Sequence, residues 1–162
     1  GQTNAGYGEG IYVGSDKGKW TTYDMACDSN KIKRSTIGPG VTAEHIDVKE
    51  GTTGTIIEDN TFNGSGISGA NYADSFIDVK GNSVTITGNT FNRQSNSIIV
   101  DGIQTHEQVS GWGVGTVISS NTFNLDTATA AYCVNSVKVS ATVSNNTRVP
   151  SGNMYRGVIV NK

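Results

Sequence analysis

Apolar side chains alternate with polar ones along this chain over short runs only, each closed by Gly, Asn, Asp or Ser, and nowhere with a helical period. That pattern predicts many short strands and no helix long enough for a crossover. One string keeps returning. "NTF" stands at Asn60-Thr61-Phe62, Asn89-Thr90-Phe91 and Asn121-Thr122-Phe123, and "NNTRV" places Asn146. Each follows a β-rich run: "GTIIED", "SVTITG", "GTVISS", "SATVSN". An earlier copy, "NKIKRSTIG", has Ser35 in the Asn place.

A second series interleaves with the first: "GEGIYVGSD", "AEHIDVKEG", "DSFIDVKGN", "VDGIQTHEQ" and, more weakly, "AAYCVNSVK" and "YRGVIVNK". Aligning Ile11, Ile46, Ile77, Ile103 and roughly Cys133 and Val158 gives intervals of about 25 to 35 residues. Such repeats bury their apolar faces only by stacking coil on coil. The expectation is an all-β, right-handed parallel β-helix (solenoid) of about five coils, one domain over residues 1–162 or a portion of a longer solenoid. The recurring Asn residues then form an amide ladder at a tight turn, each side chain bonding the next coil. With the first strand opening about ten residues after Gly1 and the last ending at Lys162, bare edges are expected at both ends. They are sites for continuation or for self-association.

The motifs "GEGIYVGS", "EHIDVKEGTTG", "DVKGN", "DGIQTHE" and "GWG" resemble the pectate-lyase-like superfamily, within the right-handed parallel β-helix repeat proteins secreted by actinobacteria, fungi and oomycetes. The resemblance runs along almost the whole chain. It implies the fold and an extracellular setting, but that superfamily includes lyases, hydrolases, epimerases and binding proteins, so it does not select a chemistry.

Strand side chains change face at every residue. With Ile46 and Val48 inward, His45, Asp47 and Lys49 point out. On the next coil Phe76, Asp78 and Lys80 do so, and on the one after it Gly102, Gln104 and His106. The outer face thus carries the columns Tyr12, Asp47, Asp78, Gln104 and Gly14, Lys49, Lys80, His106. At the strand entrance stands Glu9, Glu44, Ser75, Asp101. Both histidines of the chain fall on this face.

Three readings of the face stay open. In β-elimination on a uronate polymer, Asp47 and Asp78, with Glu44 and Asp101, supply oxygen ligands suited to Ca²⁺. Lys49, Lys80 or His106 then serves as base, if neighbours lower the lysine pKa or leave the histidine neutral. His45, Gln104, Tyr12, Trp20 and Trp112 are the candidate sugar contacts; both indoles follow their coil's central Ile by nine residues. In the second reading the same face binds or adheres to a polysaccharide without catalysis. In the third, Asp47 and Asp78 are the paired carboxylates of a glycoside hydrolase, which their near-identical contexts, "IDVKEG" and "IDVKGN", argue against.

A net charge of -2 with no basic stripe excludes nucleic acid as partner, and no apolar run is long enough to span a membrane. Cys27 and Cys133 read as two buried small hydrophobes, several coils apart and too distant for a disulfide.

Overall fold

In the computed structural model, which describes residues 6–162 and so leaves Gly1 outside, three strand series stack into parallel sheets. The first comprises β1 (Ile11–Val13), β4 (Ile46–Val48), β7 (Ser75–Val79), β10 (Asp101–His106) and the first half of β13 (Tyr132–Ser144). The second is β2 (Lys31–Lys33), β5 (Ile56–Glu58), β8 (Thr85–Thr87), β11 (Thr116–Ser119) and the second half of β13. The third is β3 (Thr36–Ile37), β6 (Thr61–Asn63), β9 (Thr90–Asn92), β12 (Thr122–Asn124) and β14 (Thr147–Val149).

This is the expected parallel solenoid. It makes about four turns before β15 (Tyr155–Asn161) closes the stack along both halves of β13, slightly fewer than five coils. The register pairs Ile11, Ile46, Ile77 and Ile103 as predicted, then continues to Val134 and Tyr155 rather than to Cys133 and Val158. The reason is that β13 crosses the corner without a break, with Lys138 at φ +67° and a register shift between Ser136 and Ala141. No helix among the described residues is long and apolar enough to cross a membrane.

The corner before the third series explains the repeating Asn. Arg34, Asp59, Gly88, Ser120 and Asn145 have φ between +49° and +68°, the left-handed bend that turns the chain sharply. The residue after each is Ser35 or a ladder Asn. Asn60 Nδ2 donates to Asn89 Oδ1, Asn89 Nδ2 to Asn121 Oδ1 and Asn121 Nδ2 to Asn146 Oδ1, each at 3.0 Å. Every acceptor oxygen also takes the backbone N–H of the preceding ladder residue at 2.9–3.0 Å. The same amides donate to the carbonyls of Ile32, Ile57, Ile86 and Ile118. Buried amides are thereby satisfied by neighbouring coils, as a dry interior demands.

Two residues beyond each Asn, Phe62, Phe91 and Phe123 stack with centroids 4.8 and 4.7 Å apart and planes within 8°. The spacing is that of neighbouring strands. The interior is otherwise filled by columns such as Ile57, Ile86 and Ile118, all fully buried.

Removing one rung of the ladder orphans groups on both sides. Asn89→Ala leaves the Asn60 N–H without its acceptor and removes the amide bonds to Asn121 and to the Ile57 carbonyl, and is expected to lower stability by about 3–5 kcal/mol. Asn124→Ala, in the half-buried second amide row where Asn124 Nδ2 donates to Asn92 Oδ1 at 2.8 Å, should cost no more than about 1.5 kcal/mol. Urea denaturation of the two variants measures the difference; equal losses would mean that the ladder carries no special share.

Candidate active site

Outward side chains of β1, β4, β7 and β10 floor a groove of about 820 Å³. Register places Tyr12 opposite Asp47, Asp47 opposite Asp78 and Asp78 opposite Gln104, as the alternation predicted. Of the sequence-derived candidates, Tyr12, Glu44, Asp47, Lys49, Asp78, Lys80, Gln104 and His106 line this groove. Its walls add Asp16 and Lys19 from the loop after β1, and Asn71, Tyr72 and Asp74 from the loop before β7.

Down the middle runs a chain of alternating charge. Lys49 Nζ lies 2.8 Å from Asp47 Oδ2, and Lys80 Nζ lies 3.0 Å from Asp47 Oδ1 and 2.5 Å from Asp78 Oδ2. His106 Nε2 follows at 3.2 Å from Asp78 Oδ1. Stacked aspartates would repel each other; lysines two residues further on fold back between them. Burial alone would lower both ammonium pKa values, but the Asp47 carboxylate outweighs it at Lys49, and Asp78 and Asp47 do so at Lys80, so both are raised. The expectation of a lysine base is therefore corrected: Lys49 and Lys80 stay charged because their neighbours are acids. The Lys49 ammonium also sits 4.9 Å from the centre of the Tyr12 ring. The Tyr12 hydroxyl itself is raised, by burial first and against the pull of Lys49.

At the far end Gln104 is fixed by two carboxylates. Its Nε2 donates to Asp74 Oδ1 at 2.6 Å and to Asp101 Oδ2 at 2.8 Å, which turns Oε1 toward His106 Nε2, 2.8 Å away. With Gln104 Oε1 and the Asp78 carboxylate both facing it, Nε2 of His106 is the nitrogen that carries a proton toward them. Asp101 is fully buried beneath Gln104 and holds Asn135 and, from β15, Arg156 at 2.6 Å. The sequence reading missed Asp74 and Arg156. Asp74 precedes its strand, where no alternation applies, and Arg156 arrives from the irregular last coil.

Three candidates lie elsewhere. His45 was expected to face outward; it is fully buried, 5.8 Å from the Phe62 ring and 5.3 Å from the Phe76 ring, with Nε2 2.9 Å from the Asn63 carbonyl. Phe76, expected outside as well, is equally buried. This column packs inward beside the phenylalanine stack, with His45 just before β4 and Phe76 second in β7, and Gly102 stands there because a Cβ would lie 2.6 Å from Phe123. Trp20 donates from Nε1 to the Ser15 carbonyl at 3.0 Å and covers the Gly51 turn. Trp112 is half-buried in the loop after β10. Neither indole lines the groove: Trp20 is drawn down onto the turn at Gly51, and Trp112 sits in a turn closed by its backbone N–H on the Val109 carbonyl. Cys133 is buried as expected, whereas Cys27 is exposed; both are free thiols.

The calcium expectation changes in its ligands. Lys80 fills the space between Asp47 and Asp78, so that pair is already neutralised by ammonium. Among the described residues no three His, Cys, Asp or Glu side chains form a metal cage. Among the described residues three buried carboxylate oxygens have no hydrogen bond, Glu50 Oε2, Asp78 Oδ1 and Asp101 Oδ1, with His106 Nε2 3.2 Å from the second. Hard oxygens of this kind suit Ca²⁺ with solvent completing its shell; Lys80 sits on Asp78 Oδ2 and Arg156 on Asp101 Oδ2, so the two Oδ1 atoms are the ones that no fixed cation holds.

Glu44 and His45 titrate against each other. Burial first, then Asp78 and Asp47, pushes Glu44 up to about 7; burial takes His45 down to about 4. Glu44 therefore contributes stability below its unfolded pKa that is lost as pH rises to about 7, whereas the His45 contribution is present above 6.5 and lost as pH falls to about 4. Each amounts to roughly 3 kcal/mol, and over the shared window they offset. Glu44→Gln should lose stability on acidification through that window, and His45→Phe should lose it on alkalinisation. Chemical denaturation across pH reads both slopes; a flat profile for either variant would refute its burial shift.

The chain is similar to a solved alginate lyase from Paenibacillus sp. str. FPU-7, with a TM-score of 0.93 and 57% identity over 95% of this chain and 52% of that one. It thus spans about half the length of that protein. No protein-family model and no curated protein matches it.

Proposed function

We propose that this groove belongs to an extracellular polysaccharide lyase cleaving a uronate polymer by β-elimination. The observation that carries the reading is the Lys49–Asp47–Lys80–Asp78 chain: two buried ammonium groups fixed at the floor of an elongated groove. The similarity to an alginate lyase supports it.

Elimination has three needs: neutralisation of the uronate carboxylate, removal of the C5 proton, and a proton for the leaving oxygen at C4. Lys80, held between Asp47 and Asp78 in the middle of the groove floor, faces the carboxylate. A cation held at Asp78 would add positive charge at the same carboxylate and make the C5 proton more acidic. Base and acid must reach adjacent carbons of one sugar. Tyr12 and Lys49, 4.9 Å apart, satisfy that proximity. His106 is three strands from Tyr12, about 14 Å along the stack, and its Nε2 is engaged by Gln104 and Asp78. Tyr12 accepts the C5 proton as a phenolate, a form that burial opposes and Lys49 supports, so the rate should climb as pH rises toward the tyrosine range. The electron pair forms the C4=C5 double bond, the C4–O bond breaks, and Lys49 gives its proton to the departing oxygen. His106 and Gln104 position the chain further along the groove.

The hydrolase reading loses ground because Asp47 and Asp78 bond the same ammonium and are not differentiated. Ultraviolet absorbance of the new double bond, followed with alginate and other uronate polymers, tests the proposal. Tyr12→Phe and Lys49→Ala should each lower kcat about 10²–10⁴-fold, and His106→Ala less than about tenfold. Chelator should reduce the rate, and added divalent cation restore it. No double bond from any uronate polymer would sink elimination, and a larger loss in His106→Ala than in Tyr12→Phe would move the chemistry to the other end.

A further inference from the structure

The loop between β6 and β7 ends in a feature that packing does not explain. Asn71 and Tyr72 have φ of +55° and +66° in succession, a left-handed conformation that non-glycine residues seldom adopt. The product of that conformation is a tyrosine 90% exposed. Aromatic side chains ordinarily lose most of their surface on folding. Strain of this kind persists where the surroundings enforce it, and it clusters at ligand clamps.

The surroundings here do enforce it. Ser68 is tied to the next coil by its backbone N–H and its Oγ, both donating to the Thr42 carbonyl at 3.1 and 2.8 Å. Asn71 Nδ2 donates to the Gly6 carbonyl at 3.1 Å, and a Cβ on Gly6 would lie 2.5 Å from Asn71 Cβ. The loop is pinned at its base and near its tip, so Tyr72 is held out over solvent on a fixed support. It lines the groove together with Tyr7 and Tyr12, which are 64% and 44% exposed. Three exposed phenol rings thus stand on the β1 side of the groove, against amide and imidazole side chains at the β10 side.

We propose that Tyr72 is a sugar-stacking platform: it binds the apolar face of a pyranose ring of an acidic polysaccharide, at a subsite outside the reacting sugar, with Tyr7 as the adjacent contact. This rests on the proposed polysaccharide substrate but not on the elimination chemistry. Tyr72 is a binding and positioning residue and takes no part in proton transfer. Its rigid presentation lowers the ordering cost of capturing a flexible polymer.

Affinity electrophoresis in gels containing sodium alginate, with dextran as neutral control and every variant compared also in a Tyr12→Phe background that does not cleave the polymer, measures binding without turnover. The wild-type protein should be retarded by alginate and not by dextran. Tyr72→Ala and Tyr72→Gly should bind about tenfold more weakly, equivalent to one modest aromatic contact, while Tyr72→Phe binds like wild type. KM on polymer should rise by the same factor with kcat unchanged. Tyr72→Gly, free of the left-handed strain, should melt no lower than wild type, so weakened binding cannot be ascribed to misfolding. Alanine and glycine variants that bind like wild type, a phenylalanine variant as weak as alanine, or equal retardation by dextran would each overturn the platform. A retarded wild-type protein that forms no double bond would sink the lyase reading and leave the platform standing. Normal turnover with unweakened Tyr72→Ala binding would do the reverse.

Discussion

The amide ladder at the third corner is the constraint on which everything else depends. Each ladder oxygen accepts both a side-chain and a backbone N–H of the coil before it, so a coil can neither slip nor rotate without breaking two buried hydrogen bonds. In a parallel stack a slip of one residue would exchange inner and outer faces. The ladder holds the phenylalanines in face-to-face contact, and it sets the isoleucine columns opposite one another on the sheet next to it. Groove and core are two faces of one register.

That register turns a sequence repeat into an electrostatic device. Two aspartates placed opposite each other on β4 and β7 would repel, yet the lysines two residues later bring one ammonium between them and a second beside the first. The repeated "DVK" segment carries both partners, so every copy brings its own compensation. The pattern ends at β10, where the corresponding positions are Gln104 and His106. The groove therefore carries compensated Asp–Lys pairs and phenol rings at one side and amide and imidazole groups at the other, an asymmetry from which a polymer's orientation can be read.

The solenoid and its outer columns were legible because they follow from period-two alternation and a repeated Asn. Asp47, Lys49, Asp78, Lys80, Gln104 and His106 fall where that alternation puts them. It fails where a strand begins. His45 sits just before β4 and Phe76 is the second residue of β7, and the space beside Phe62 takes both inward. The loops were opaque for another reason: Trp20 and Trp112 have the equal offsets of a paired motif, yet each is held by its own turn, and loop packing leaves no period to read. Asp74 and Tyr72 came to the groove by the same route, from a segment whose shape is set by contacts to Thr42 and Gly6. Protonation behaviour was the least accessible. Whether a lysine is a base or a fixed cation depends on distances of a few ångström to acids on other coils.

Because each coil touches only its neighbours, the length of the groove and the continuity of the core are separable quantities. Duplicating the β4 coil would extend the ladder by one Asn and the stack by one Phe, with no change elsewhere in the interior. On the outside it would add another Asp–Lys pair and move Tyr12 one strand spacing further from His106. A lineage built on this plan can thus lengthen or shorten its grip on a polymer by recombination between near-identical repeats, in steps of one strand spacing.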